Sequence, residues 1–466
     1  MSQKLKKGIY YVFLANIINM ILSLITNFLL PKFLSIDSYS AIKTFQLYIT
    51  YVGVFHLGFV DGIYLKYGGK ELEKIDPYKL QLNLSTLRFF QLFFSVLFSI
   101  ISIIVKDKIL LAFSFSIISL NVISYFKMLY QAVGEFKKYS KLTNISTALT
   151  FLINMMLLFV IKTDNYFIYL ICYSIVNFIV WIAMESSFRK KYTVEKQTII
   201  FSFKSLISNI KSGFSLMCGN FSSFLLTGMD RWFVKVLQDN YAFAKYSFAV
   251  SIENMLNVAI TAITIPLYNY FCNESKREET RISFTYQAII VFSLALISSA
   301  FVVKVILKYF LPNYYSSYKI VFILFAAQAI QIVIKSIFVN LYKVKKEQRK
   351  YFRGIIITIV SGFVFNIICF NIYRDELSFA IGTLLSAILW FIVCLHDFNE
   401  LKNIPKYNLV LFIGIISFLV CGFCLNTIIG FFIYIALFVI LTTIFMPNVY
   451  TKIWTEFKSI VDKIKQ

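Results

Sequence analysis

Long apolar runs recur along the whole chain, and they constrain the fold more strongly than any other feature of the sequence. Of the 466 residues, 59% are hydrophobic and 15% are charged, against roughly 25% charged residues in soluble domains. Windows of about 20 residues, the length that crosses a bilayer, predict crossings at 8–30, 39–62, 83–105, 109–130, 142–161, 166–185, 212–234, 241–265, 283–307, 318–342, 353–373, 377–396, 407–425 and 428–446. The sequence therefore predicts an all-α integral membrane protein with about 14 transmembrane helices.

The loops between these crossings indicate an orientation. Alternate connections, together with both termini, hold roughly thirty of the 46 basic residues, and the opposite set holds roughly eight. Because short cytoplasmic loops carry the excess of Lys and Arg, both termini are expected in the cytoplasm. The loops also account for the net charge of +23 without a nucleic-acid partner.

A weak internal repeat relates the two halves of the predicted bundle. Its matched pairs are Gly8 with Gly213, Lys32 with Lys235, Leu34 with Leu237, Tyr39 with Tyr241, Lys43 with Lys245 and Tyr130 with Tyr342. Six crossings separate the copies, so both copies have the same orientation. Parallel repeats of this kind are typical of transporters that work by alternating access.

The repeat predicts a domain organisation. Two six-helix lobes are expected at 1–200 and 201–400, followed by two additional transmembrane helices at 401–446. The tail at 447–466 has an apolar stripe and four lysines, which predicts a basic amphipathic helix on the cytoplasmic membrane surface.

Basic side chains outnumber acidic ones inside the crossings. A charge at mid-bilayer costs at least ~2.5 to 3.5 kcal/mol, so each one calls for a partner, a wet cavity or the interface. The candidate substrate-binding cations are Lys43, Arg88, Lys127, Arg231, Lys245 and Lys335. A cavity lined by cations suits a phosphate or pyrophosphate group. For Lys43 and Lys245, the alternative is that the side chain extends to the outer interface.

Four other ionisable residues lie in the crossings and are candidates for gating or ion coupling: His56, Asp61, Asp230 and Glu253. For His56, a packing role competes with proton carriage. Asp230 and Arg231 are adjacent in "LLTGMDRWFVKVL", and neighbours on a helix point about 100° apart, so they do not easily neutralise each other. Lys245, across the next hairpin, is the expected partner of Asp230. The acids are scattered along the sequence.

Several functions are excluded by what the sequence lacks. Seven cysteines and two histidines offer no credible metal set. The sequence has no G-x-x-x-x-G-K-[ST] loop, so we do not expect ATP hydrolysis. Catalytic residues and a resident cofactor are not predicted, and coupling to H⁺, Na⁺ or the membrane potential stays open.

Two segments carry a family resemblance: "LLPKFLSIDSYSAIKTFQLYITYVGVFHLGFVDGIYLKYGGKE" and "GMDRWFVKVLQDNYAFAKYSFAVSI". They resemble the two homologous regions of Wzx-type polysaccharide flippases in the multidrug/oligosaccharidyl-lipid/polysaccharide exporter superfamily. The similarity rests on the entry to helix 2, the glycines of "LGFVDG", and an Asp-Arg pair before a turn and a tyrosine. Related lipid II flippases carry charged residues in helix 1, whereas this helix has Asn16, Asn19 and Asn27.

The resemblance implies a V-shaped bundle that moves an undecaprenyl-pyrophosphate oligosaccharide to the outer leaflet of the bacterial inner membrane. The departure in helix 1 favours an O-antigen, capsule or exopolysaccharide unit over lipid II. A polysaccharide polymerase and chain-length proteins are the expected partners besides the lipid bilayer, and the protein is expected to be a monomer and not an enzyme.

Three other functions compete with this interpretation. An ion-coupled multidrug antiporter of the same superfamily would also have two six-helix lobes, but a stronger acidic cluster is expected there. A membrane-embedded polysaccharide polymerase or acyltransferase is less favoured because the outer loops are short. A scaffold leaves the repeat and the intramembrane cations unexplained.

Overall fold

The computed structural model describes residues 3–192, 201–273, 279–398, 401, 405–447 and 449–451. Their helices are α1 (Gln3–Phe33), α2 (Ile36–Thr50), α3 (Phe59–Tyr67), α4 (Pro77–Val105), α5 (Lys108–Ala132), α6 (Phe136–Met155), α7 (Tyr166–Lys191), α8 (Phe203–Leu237), α9 (Asn240–Asn273), α10 (Glu279–Ile297), α11 (Ser299–Tyr309), α12 (Tyr318–Val333), α13 (Val339–Val344), α14 (Gln348–Ile372), α15 (Leu377–Asp397), α16 (Pro405–Cys424) and α17 (Thr427–Phe445). A π-helical turn extends α6 at Met156–Ile161, and another joins α12 to α13 at Ile334–Phe338.

The chain is a multi-pass, all-α membrane protein, as the sequence predicts. Among the described residues, 11 helical segments are long and apolar enough to cross a membrane, and a bent pair would bring the number to 12. The predicted crossings at 212–234 and 241–265 lie within α8 and α9. The number of fourteen crossings stays a prediction.

The predicted crossing at 39–62 is wrong as one continuous helix. After α2 comes a 3₁₀ segment at Val52–His56, and α3 follows after a bend of 62°. Leu57 and Gly58 have positive φ angles of 50° and 87°, a left-handed conformation that interrupts a right-handed helix. Hydropathy misses this break because its window averages over an uninterrupted apolar segment. His56, expected well inside a helix, lies at the break.

Residues 1–228 and 229–466 form two compact units. The boundary lies inside α8, later than the predicted start of the second lobe at 201. The predicted domain ranges are otherwise untested, and most of the tail at 447–466 lies outside the described residues.

The first part of α8 belongs to the first unit because it packs closely on α3. A Cβ atom on Gly62 would lie 2.1 Å from the backbone oxygen of Asn209. A Cβ atom on Gly213 would lie 2.1 Å from the backbone oxygen of Gly58. Gly58 and Gly62 have the small-x-x-x-small spacing that lets helix backbones approach in membranes. The glycines noted in "LGFVDG" therefore serve this helix contact.

The alignment of Tyr130 with Tyr342 is confirmed by the turn that follows each tyrosine. In the first unit the Glu135 N–H donates to the Tyr130 carbonyl at 2.8 Å. In the second unit the Glu347 N–H donates to the Tyr342 carbonyl at 2.9 Å. The ion pairs that begin the following helices also correspond, Lys138 with Glu135 and Lys350 with Glu347, both at 3.0 Å.

The two additional helices, α16 and α17, pack into the second unit. Tyr434 of α17 donates to the carbonyl of Leu294 at 2.7 Å. The buried Lys304 of α11 donates to the carbonyl of Gly422 at 2.6 Å. The Lys304 ammonium also lies 4.5 Å from the ring centroid of Tyr318. Lys304 was not predicted as a buried cation because it lies close to the end of its crossing.

Candidate transport site

Arg88 belongs to an ion-pair network between α4 and α7. Its guanidinium donates to Glu185 Oε1 at 3.0 Å, and Arg189 lies 2.7 Å from the same oxygen. Trp181 Nε1 donates to the other oxygen at 2.7 Å. Two guanidinium groups share one carboxylate, so the cluster keeps a positive charge. Glu185 was not predicted as a site residue because it lies at the end of a predicted crossing, next to a basic loop.

Among the described residues, no carboxylate is bonded to Lys127 or Lys335, in contrast to Arg88 and Lys245. Lys127 lies on α5 and is half-buried. Within the described parts of the chain, no hydrogen bond or ion pair is formed by Lys127 or Lys335. Lys335 lies in the π-helical turn Ile334–Phe338, a local structure that is frequent at functional sites. Both ammonium groups therefore remain available to an anion.

Lys43 is buried and bound by neutral groups. Its ammonium donates to Asn27 Oδ1 at 3.1 Å and to Gln46 Oε1 at 3.0 Å. It also lies 5.3 Å from the ring centroid of Tyr39. These contacts hold Lys43 within the protein, so they weaken its predicted role as a ligand for cargo.

Lys245 forms an ion pair with Glu376, which immediately precedes α15. The ammonium also lies 4.5 Å from the ring centroid of Tyr241. Burial raises the pKa of Glu376, and the hydrogen bond from Lys245 opposes this shift. Glu376 was not predicted because it lies in a short loop between crossings.

Asp230 is not the partner of Lys245, so the predicted pair is wrong. Its Oδ2 accepts hydrogen bonds from the Tyr246 hydroxyl at 2.7 Å and from the Thr383 hydroxyl at 3.3 Å. Its Oδ1 accepts from the backbone N–H of Arg231 at 2.7 Å. We refer to Asp230, Tyr246 and Thr383 as the second polar centre. Hydroxyl donors satisfy this buried carboxylate where a lysine was expected.

Glu253 lies close enough to Asp230 for their charges to interact. The side-chain amide of Gln328 donates to Glu253 Oε1 at 2.6 Å, and Lys335 and Arg231 also act on its charge. The two acids are scattered along the sequence, and distance along the chain does not measure the distance between packed helices. A strong acidic cluster is not expected, and this stays a prediction.

A smaller group of polar residues lies at the break in crossing 2. The Gly58 N–H donates to His56 Nδ1 at 3.1 Å, and the same nitrogen lies 3.9 Å from Asp61 Oδ2. Asp61 Oδ1 accepts a hydrogen bond from the Asn220 amide of α8 at 3.0 Å. His56 and Asp61 are both buried. We refer to His56, Asp61 and Asn220 as the first polar centre.

The polar side chains do not form a recognisable metal site. No group of three or more His, Cys, Asp or Glu side chains that could hold a metal ion occurs within the described residues. The buried carboxylates of Asp61, Asp230 and Glu253 instead accept hydrogen bonds from amides, hydroxyls and a backbone N–H.

The fold is shared with solved membrane transporters. The structure titled "Lipid II flippase MurJ, inward closed conformation" matches with a TM-score of 0.69 and 16% sequence identity, covering 94% of this chain and 99% of that chain. An inward-facing multidrug resistance MATE family transporter of the MOP superfamily matches with a TM-score of 0.57 and 11% identity, covering 82% of this chain and 96% of that chain. No curated protein matches in sequence.

These likenesses define the class as a multi-pass membrane protein with the fold of flippases and transporters of the MOP superfamily. A family model described as "Polysaccharide biosynthesis protein" matches residues 5–271, which is more than half of the chain. The chain belongs to this polysaccharide biosynthesis family. The resemblance predicted from the sequence is thereby confirmed.

Proposed function

We propose that this protein is a flippase that moves an undecaprenyl-pyrophosphate-linked oligosaccharide from the cytoplasmic to the outer leaflet of the bacterial inner membrane. The family match supports a role in polysaccharide biosynthesis. The similar structure titled as a lipid II flippase supports a lipid-linked cargo. Surface polysaccharide, as O-antigen, capsule or exopolysaccharide, is the proposed product of the pathway.

The observation that carries this proposal is the pair of available lysines, Lys127 and Lys335. A lysine inside a membrane is costly unless a charge or water compensates it. A pyrophosphate is a strong acceptor for ammonium groups. We propose that Lys127 and Lys335 each bind the pyrophosphate at a step of its passage, with Arg88 drawing the headgroup from the cytoplasmic side.

The remaining cations have a different proposed role. Lys43 and Lys245 are held by Asn27 and Glu376, so we propose that they stabilise the outer ends of their helices. Arg231 Nε is buried with no hydrogen-bond partner in the described residues, and the side chain stays a candidate ligand for cargo. Of the six predicted cations, Arg88, Lys127, Arg231 and Lys335 therefore stay in the proposed cargo-binding set.

Transport also needs a source of energy. We propose that Asp230 and Glu253 take part in ion coupling, because they are buried acids whose charges interact. A membrane potential near 100 mV supplies ~2.3 kcal/mol for each charge moved. That is enough to bias the cycle in one direction without ATP.

The test is a paired charge reversal. In a strain that depends on this protein for surface glycan, Lys127→Glu with Lys335→Glu should abolish surface glycan, because the pyrophosphate would then meet carboxylates. The measurement is surface glycan by labelling, with the amount of protein in the membrane determined in parallel. The matched control is Lys108→Glu with Lys308→Glu, which changes two exposed lysines by the same charge and should leave glycan unchanged.

Normal surface glycan in the Lys127 and Lys335 variant, at normal protein level, would contradict the role of the two lysines. A multidrug antiporter is the second candidate function, and the interaction between Asp230 and Glu253 favours it. Export of organic cations from vesicles with an imposed ion gradient, combined with normal surface glycan in a deletion strain, would establish that function instead.

A further inference from the structure

The break in crossing 2 contains a nitrogen with two alternative uses. His56 Nδ1 accepts a hydrogen bond from the Gly58 N–H at 3.1 Å. A ring nitrogen that accepts carries no proton, so the imidazole is neutral with its proton on Nε2. The Asp61 carboxylate lies 3.9 Å from the same nitrogen. If Nδ1 gained a proton, it would donate to Asp61 and could no longer accept from Gly58.

The other described groups around His56 are neutral, so Asp61 is the group that would pair with its proton. The groups that α4, α5 and α8 place against this segment are neutral. From α4, Gln91 donates to the Phe55 carbonyl, and from α5, Asn121 donates to the Val52 carbonyl. From α8, Asn220 donates to Asp61, and the ring of Phe221 packs on Tyr51. Within the described residues, Asp61 is the charged group in contact with His56. The proton would therefore convert a neutral contact into an ion pair.

The bond that the proton breaks lies at the bend itself. The Val54 carbonyl accepts from the Leu57 N–H at 2.9 Å, whereas a continuous α-helix would use the Gly58 N–H there. Leu57 has a φ angle of 50°, which is costly for a residue with a side chain. Releasing the Gly58 N–H from His56 allows it to bond to Val54 and removes the strain at Leu57.

We propose that the break in crossing 2 is a proton-binding hinge with His56 Nδ1 as the binding atom. The neutral imidazole holds α3 bent and packed on α8 through Gly58, Gly62 and Gly213. A proton from water binds Nδ1, the Gly58 hydrogen bond breaks, and an ion pair with Asp61 forms. The helix then straightens. This inference goes beyond the proposed function because it does not depend on the identity of the cargo.

The size of the movement follows from the helix length. α3 has nine residues, which span about 13 Å at 1.5 Å per residue. Loss of the 62° bend would move the far end of α3 by a similar distance, about 13 Å. A distance measurement between labels on either side of the break can detect a change of this size.

The experiment uses spin labels at Phe33→Cys and Leu65→Cys, both 52% exposed in the wild-type chain, in the full-length protein with its native cysteines replaced. Pulsed electron resonance in lipid nanodiscs measures the distance in steps from pH 8 to pH 4, because burial of a histidine opposes its protonation. We expect a second population, displaced by up to about 13 Å, at the lower pH. His56→Asn should abolish this change, because its side-chain oxygen can accept from Gly58 but does not titrate.

His396→Asn is the matched control, because His396 is exposed and is the other histidine of the chain; it should respond like the wild type. Asp61→Asn should shift the transition to lower pH by removing the partner of the charged imidazole. An unchanged distance in the wild type, or an undiminished change in His56→Asn, would overturn the proposal. Should His56→Asn fail to fold, His56→Gln serves the same purpose. Because cargo is absent, failure here leaves the flippase proposal intact.

Discussion

Each unit holds a buried acid, but the groups around the two carboxylates differ. In the first polar centre, Asp61 faces the imidazole of His56 across a broken helix. In the second polar centre, Asp230 lies within α8 and accepts hydrogen bonds from the hydroxyls of Tyr246 and Thr383. An imidazole nitrogen that accepts a hydrogen bond can bind a proton, whereas a hydroxyl keeps its charge. In the first polar centre, the imidazole of His56 can therefore bind a proton. In the second polar centre, the hydroxyls of Tyr246 and Thr383 stay uncharged.

One backbone turn, in contrast, is the same in the two units. The turns after Tyr130 and Tyr342 have corresponding hydrogen bonds. Each turn contains one residue with a positive φ angle, 75° at Gly134 and 57° at Lys346. This connection therefore corresponds in the two units, whereas the groups around the two buried carboxylates differ. Three substitutions test how far this comparison holds.

The largest effect is expected at the contact that supports the first polar centre. Gly213→Ala should lower the free energy of unfolding by about 3 kcal/mol, because the new Cβ would overlap the backbone of α3. Thermal unfolding of the purified protein in detergent measures the loss. Gly219→Ala on the same helix is the control, since a Cβ there meets nothing within 4 Å, and it should raise stability by about 0.5–1 kcal/mol. Equal effects at both positions would contradict the close contact.

An intermediate effect is expected in the second polar centre. Tyr246→Phe removes the hydroxyl that donates to Asp230 and should lower the free energy of unfolding by about 1–3 kcal/mol, because a buried acceptor loses its donor. The same unfolding assay measures it. Tyr241→Phe on the same helix removes an exposed hydrogen bond to the Asn313 carbonyl and should cost less. A neutral Tyr246→Phe would show that this hydroxyl does not support the buried carboxylate.

The smallest effect is expected at the repeated turn. Lys346→Gly should raise the free energy of unfolding by about 1 kcal/mol, because glycine adopts a positive φ angle without steric cost. Gly134→Lys, the reciprocal change in the first unit, should lower it by a similar amount. The two shifts in melting temperature should be opposite in sign. Shifts of the same sign would show that the two turns are not equivalent.

The sequence predicts the membrane class and the positions of the crossings well, because hydropathy follows directly from the apolar solvent around them. It predicts the break in crossing 2 poorly, because Leu57 and Gly58 are as apolar as a continuous helix requires. Only the backbone angles reveal that His56 and Asp61 meet there. The glycines of "LGFVDG" were the available signal.

Side-chain pairing was harder to predict than the fold. Lys245 was assigned to Asp230 because both lie near one hairpin, but Glu376, distant in sequence, binds Lys245. The repeat was a better guide than nearness to one hairpin. The Lys43 ammonium lies 5.3 Å from the ring centroid of Tyr39, and the Lys245 ammonium lies 4.5 Å from the ring centroid of Tyr241. Lysine and tyrosine are four residues apart in both copies, as the alignment predicts.

The position of α8 has a consequence for the order in which the chain folds. The protein is made from its N-terminus, and domains generally fold as their residues become available. Asp61, Gly58 and Gly62 find their partners Asn220 and Gly213 only after α8 has been synthesised. A chain that stops after α7 lacks the helix that covers these groups. The first unit therefore completes its packing only after the first part of α8 has been added.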